Sequence, residues 1–223
     1  MRRHFIRVSL LGLLYAIGVS HAVAIAADAP DAVIKEATKE LVTAVEDARS
    51  YYAGDPDKFT AEIDRIITPI VDFNSFARGV MGSYGSKRHY ASLQSDAERE
   101  QFRLQLLRFK ERFREGLLTT YAKGMMTFNG QTIEVEPLRA EAIRGKSVVV
   151  KQHIVSEGSK PVVIRYKMRQ NKQQQWKVRN VTIQAVNLGK VYRSQFAAAA
   201  KRYNGDIGKV IDNWVVAAKD VSS

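Results

Sequence analysis

The hydrophobic period of this chain changes twice, and the two changes constrain its fold more than any other feature. From residue 34 to residue 121 apolar side chains recur every three to four residues. From 132 to 184 they alternate with period two, and after 188 the helical spacing returns. The alternation is cleanest in PVVIRYKMR, residues 161–169. There Val162, Ile164, Tyr166 and Met168 share one side, while Val163, Arg165, Lys167 and Arg169 share the other. A strand with one apolar and one cationic face belongs to a sheet covered on one side only.

Candidate strands at 132–136, 147–155, 161–169 and 175–184 are joined by short polar turns, which implies an antiparallel meander. Before it lie DAPDAVIKEATKELVTAVEDARSYYAG, with Ile34, Ala37, Leu41, Val45, Ala48 and Tyr52 at helical spacing, and a second helix opened by Asp55–Pro56. Asp72 is placed to cap a short third helix. Ser95 and Glu98 form a capping box for a long one that carries Phe102, Leu106, Phe109, Phe113, Leu117 and Tyr121 and is expected to stop at Gly124. Two further helices follow the sheet, the last carrying Ile207, Val210, Ile211, Trp214 and Val215. Helices, then sheet, then helices predict an α+β fold. Its antiparallel, curved sheet of four to five strands has one face covered by the N- and C-terminal helices.

The N-terminus reads as an export signal. Arg2, Arg3 and Arg7 precede an apolar run from Val8 to Val19 and small residues from Ala22 to Ala27, with a cut expected after Ala26. The run is short of the roughly 20 residues of a spanning helix. The chain then divides into a cleaved signal, 1–26, and one domain, 27–223, exported and soluble. Cysteine is absent, so neither a lipid-modified cysteine nor a disulfide is available, and the fold must stand on its core. The balance of 35 Lys+Arg against 23 Asp+Glu is strongly basic. In an exported protein the fitting counterparts are anionic head groups, anionic saccharides or an acidic partner face, and not nucleic acid. Lys151, Arg165, Lys167, Arg169, Lys177 and Arg179 are candidates for a basic outer sheet face, solvated or used for docking.

Catalytic patterns are missing. His89 and His153, the histidines outside the signal, have no metal-ligand spacing. There is no serine elbow, phosphate loop or dinucleotide fingerprint, and GSYG at 82–85 shares only composition with the first of these. Asp64 and Asp72 lie near apolar helix faces, but a capping role accounts for Asp72. Binding is the expected chemistry.

Three stretches, PIVDFNSFARGVMGSYG (69–85), WKVRNVTIQAVNL (176–188) and GKVYRSQF (189–196), together resemble the MlaC or toluene-tolerance auxiliary family of Gram-negative periplasmic phospholipid-binding proteins. The resemblance spans nearly all of the mature chain. One departure is Asn180, where relatives often carry Asp. A polar residue there would mark a bulge, since Trp176 and Val178 alternate out of phase with Val181 and Ile183.

The resemblance implies a carrier without an enzymatic step and without a cofactor, holding acyl chains in an apolar cavity between sheet and helices. It also implies a monomer in the periplasm, passing phospholipid between an outer-membrane lipoprotein–porin complex and an inner-membrane ABC transporter with an MCE-domain ring, and so keeping the outer membrane asymmetric. On that reading the acyl-chain contacts fall to Phe73, Phe76, Val80 and Met81 of the third helix and to Leu117, Leu118, Tyr121 and Met125 of the long one. The sheet adds Val148, Val150, Val162, Ile164, Tyr166, Met168 and Trp176, and the following helix Leu188, Tyr192 and Phe196. Methionines such as Met81, Met125, Met126 and Met168 suit a wall that adapts to variable chains. Arg193 is the candidate for a head-group phosphate, or else for a pairing with Asp72 or another acid that pins two helices. The glycines from Gly79 to Gly85 offer a hinge. Two other classes fit the same scaffold: a small-pocket isomerase or hydro-lyase, which needs an inward acid or histidine, and a periplasmic chaperone that grips apolar peptide.

Overall fold

The computed structural model describes residues 29–143 and 145–216; the expected signal segment lies outside them. Five helices come first: α1 (Pro30–Ala48), α2 (Pro56–Ile67), α3 (Phe73–Met81), α4 (Lys87–Ser92) and α5 (Asp96–Met125). Strands β1 (Thr132–Val135), β2 (Ser147–Val155), β3 (Val162–Gln170), β4 (Trp176–Ile183) and β5 (Val186–Asn187) form one antiparallel sheet in sequence order. Helices α6 (Leu188–Arg202) and α7 (Ile207–Asp212) close the fold. It is the α+β arrangement that the two changes of period predict.

Local chemistry sets most helix starts. The side chains of Asp55, Asp72, Asn187 and Asp206 each accept a hydrogen bond from the backbone N–H three residues on, and Ser95 with Glu98 completes the capping box of α5. Helix α5 passes through Gly124 and ends at Met125, because Gly124 keeps helical geometry there. The last helix stops at Asp212, so Trp214 packs from outside it while Val215 stays exposed. Short elements such as α4 and the two-residue β5 escape the sequence pattern, since neither spans a full hydrophobic repeat.

Strand β4 carries the irregularity that Asn180 signals. Its ladder with β3 runs Tyr166 to Val181 and Lys167 to Asn180, then slips so that Met168 faces Val178. Arg179 is the extra residue. The bulge resets the alternation, so both Val178 and Val181 turn toward the helices although their parity differs. At the same place the chain entering α3 docks on β4: Asp72 N–H donates to Val178 O at 2.8 Å and Val178 N–H donates to Ile70 O at 2.8 Å.

The buried apolar residues fall into three clusters. One joins α3, α5 from Phe102 to Leu117, α6 and α7; one joins α1, α2 and the last turns of α5 with Leu118 and Ala122; the third joins Ile34 to Val148, Val150, Met168, Trp176 and Val178 at one end of the sheet. A domain of this size ordinarily builds one contiguous core. Here the clusters surround a space.

Candidate functional site

That space is a cavity of about 450 Å³ between the inner face of the sheet and helices α1, α2, α3 and α5. Each wall follows from a stripe already visible in the sequence. Helix α1 contributes Ile34, Ala37, Leu41 and Val45 at helical spacing, α2 contributes Ile63 and Ile67, and α5 contributes Leu117, Leu118, Tyr121 and Met125. The sheet contributes Ile133, Ile154, Ile164, Tyr166, Val178, Val181 and Ile183, adjacent rungs of one pleated face. Ile34, Ala37, Val45, Phe73, Phe76 and Val178 are buried. Met125, Phe128, Gln131, Ile133, Ile154 and Ile183 are half-buried, so the cavity opens past the C-terminal end of α5 and the outer rungs of the sheet.

One polar chain crosses this apolar wall. Tyr166 Oη donates to Gln152 Oε1 at 2.7 Å, Gln152 Nε2 donates to Thr38 Oγ1 at 2.6 Å, and Thr38 Oγ1 donates to Ile34 O at 2.7 Å. Gln152 is the buried polar side chain of the core, and these bonds explain how it is tolerated. Burial pushes the Tyr166 phenol far above the ordinary tyrosine range, so it remains a neutral donor. Tyr121 and Tyr192 share a hydrogen bond at 3.0 Å, and burial raises both phenols.

The cavity wall takes Phe73, Phe76, Leu117, Leu118, Tyr121, Met125, Ile164, Tyr166 and Leu188 from the expected set. The others sit elsewhere. Val80 and Met81 lie one to two turns further along α3, where Tyr192 and Phe196 of α6 and the aromatic residues of α5 fill the space solidly. Val148, Val150, Met168 and Trp176 pack in the sheet-end cluster against Ile34. Val162, opposite Ile154 in the ladder, is not part of the wall. Arg193 lies away from the cavity: its Nε donates to Gly79 O at 2.7 Å, while Asp72 pairs with Arg179 at 2.9 Å. Arg193 therefore does not line this cavity and is not the partner of Asp72; its Nε ties α6 to the end of α3.

The sequence reading missed α1 and α2 as walls. Their stripes were legible, but a stripe does not say whether it faces atoms or space. Nor does the glycine-rich bend look like a free hinge. A Cβ on Gly85 would stand 2.8 Å from Arg78 O and 2.9 Å from Met81 Cβ, so that glycine is there for close packing.

Chemically, the arrangement is suited to enclosing an apolar guest. Among the described residues no group of three or more His, Cys, Asp or Glu is placed to hold a metal ion. Asp64, one of the candidate acids, is engaged by Arg114 and Thr68, and His153 shares a 2.7 Å contact with Glu136 on the outer sheet face.

Comparison with known proteins is consistent with this geometry. Residues 35–215 match the family described as MlaC protein. The toluene tolerance protein ttg2D of Pseudomonas putida is 30% identical over 203 residues, which are 91% of this chain and 87% of that protein. A phospholipid-binding protein from Ralstonia solanacearum, solved in complex with a phospholipid, superposes with a TM-score of 0.67 at 23% identity. The match covers 83% of this chain and 94% of that one. At that identity the likeness concerns the fold.

Proposed function

This chain belongs to the MlaC family, and from that premise we propose that it is a periplasmic carrier of glycerophospholipid. The acyl chains occupy the cavity between the sheet and α1, α2, α3 and α5, and the head group stays in water at the half-exposed end near Met125, Phe128 and Ile133. The observation that carries this reading is the cavity itself, of about 450 Å³, with an apolar lining interrupted mainly by Gln152, Thr38 and Tyr166. Each methylene moved from water into such a wall gains about 0.8 kcal/mol, so a free lipid leaves a membrane too rarely for useful transfer, and an enclosed one need not face water.

No bond is made or broken in such a step. The carrier exchanges lipid with an outer-membrane lipoprotein–porin complex on one side and an inner-membrane ABC transporter with an MCE-domain ring on the other, as a monomer with phospholipid as its cargo. The result is maintained asymmetry of the outer membrane. Direction comes from the partner that consumes energy.

The test is transfer between two vesicle populations. Labelled phospholipid in donor vesicles should reach acceptor vesicles at a rate proportional to the amount of added protein. A variant that narrows the cavity at its open end, Ile154→Trp, should transfer more slowly than the wild type. A protein-independent rate for the wild type would overturn the carrier reading.

A further inference from the structure

A second hollow, of about 590 Å³, lies on the other side of the fold, between the outer face of β3 and β4 and the start of α6. Six cations line it: Lys146, Lys167, Arg169, Arg179, Lys190 and Arg193. They come from four separate places in the chain. The β2 approach brings Lys146, the period-two face of β3 brings Lys167 and Arg169, the β4 bulge brings Arg179, and the first turns of α6 bring Lys190 and Arg193. Like charges gathered in one concavity repel.

The wall has almost no acceptors to offer them. Asp72 is the carboxylate that pairs with a cation of this wall among the described residues, and it holds only Nη2 of Arg179 while also capping α3. Two asparagines line the hollow, and their carbonyl oxygens are already engaged. Asn180 Oδ1 accepts from Gly189 N–H at 2.9 Å, and Asn187 Oδ1 accepts from Lys190 N–H at 3.0 Å and from Asn180 Nδ2 at 2.9 Å. What remains directed outward is N–H. Lys146, Lys167, Arg169 and Lys190 have no side-chain partner among the described residues. Arg193 uses Nε on Gly79 O, which fixes the guanidinium and leaves its two terminal nitrogens available.

We propose that this hollow is an anion site for a phosphate group, separate from the apolar cavity and recognising either a free phosphate compound or the phosphate of an anionic lipid head group. A phosphate presents several oxygens and close to two negative charges, which matches donors arriving from three sides better than a single carboxylate does. Arginine forks pair with phosphate oxygens, and the lysines supply charge without demanding geometry. The hollow has room for a phosphate attached to something larger or for a diphosphate. The site stands on its own donors and does not depend on what fills the apolar cavity.

The test uses two probes on the full mature protein at low ionic strength. One is inorganic pyrophosphate, titrated calorimetrically against a chloride-matched blank. The other is co-sedimentation with phosphatidylcholine vesicles with and without phosphatidic acid. Pyrophosphate should bind, and Lys167→Glu with Arg169→Glu should weaken binding by at least about tenfold, the scale of one lost charge-assisted hydrogen bond. Both residues are exposed and without side-chain partners, so the variant should fold. A charge-matched control, Lys35→Glu with Lys201→Glu, lies outside the hollow and should keep most of the affinity. Pyrophosphate binding without selective sedimentation by phosphatidic acid identifies a free anion as the ligand, and both together identify the head group. No pyrophosphate binding, or equal weakening in the two double variants, would overturn the site and leave only a general surface field.

Discussion

Ile154 and Phe113 are both apolar and both turned inward, yet they do different work. Phe113 is fully buried, with ring centroids 5.2 Å from Phe76, 5.8 Å from Phe109 and 5.4 Å from Tyr192. Ile154 is half-buried at the open end of the cavity. Phe113→Ala should lower stability by about 3–5 kcal/mol, read as a shift in the urea midpoint with an unchanged slope. Ile154→Trp should leave that midpoint within about 1 kcal/mol, since the added ring enters existing space, yet weaken lipid retention. A large loss of stability in the second variant would mean that the space beside Ile154 is already filled by protein.

The same contrast explains what the sequence conceals at this scale. A cavity wall and a solid core require the same residue types, so Phe73 and Val80, Tyr166 and Met168 looked alike. Only their neighbours separate them. The residues of the three family-like stretches are also less about cargo than their prominence suggests. Asp72 caps α3, Gly85 admits Arg78 O, Gly189 lies where a Cβ would stand 2.6 Å from Asn180 Oδ1, and Arg193 holds Gly79 O. They tie α3 and α6 to β4, and the cavity follows from that framework.

At the scale of elements, period and capping chemistry were legible: β2 occupies the span that alternation gives it, and α5 begins at its capping box. The inward face of β4 was harder, because the register slip at the bulge breaks simple alternation, and Asn180 was the one hint. Contacts between elements were not legible. The pairing of α2 with α5 through Asp64 and Arg114 joins residues 50 positions apart. Burial acts to raise the Asp64 carboxyl, but hydrogen bonds from Arg114 and Thr68 outweigh it, and the net shift is downward. A carboxylate lowered in the folded state stabilises the fold above its unfolded pKa, and that contribution fades as pH falls through the folded value. Asp64→Asn should therefore lower stability by about 1 kcal/mol at pH 7. It should also flatten the loss of stability below about pH 4. Parallel pH profiles for variant and wild type would show that the pair contributes nothing to holding α2 against α5.

For the whole molecule, three apolar clusters border one apolar cavity, and Ile67, Val71 and Val181 bridge them along its wall. Carrying is the use such a space suits. The outer face of the sheet adds a concentration of positive charge that the cavity does not need. The direct measurement is native mass spectrometry of the protein purified without detergent, with lipid extraction of the same sample. Phospholipid bound in stoichiometric amount, and reduced in Ile154→Trp, is the predicted result. An unladen mass that stays unchanged after incubation with phospholipid vesicles would contradict it.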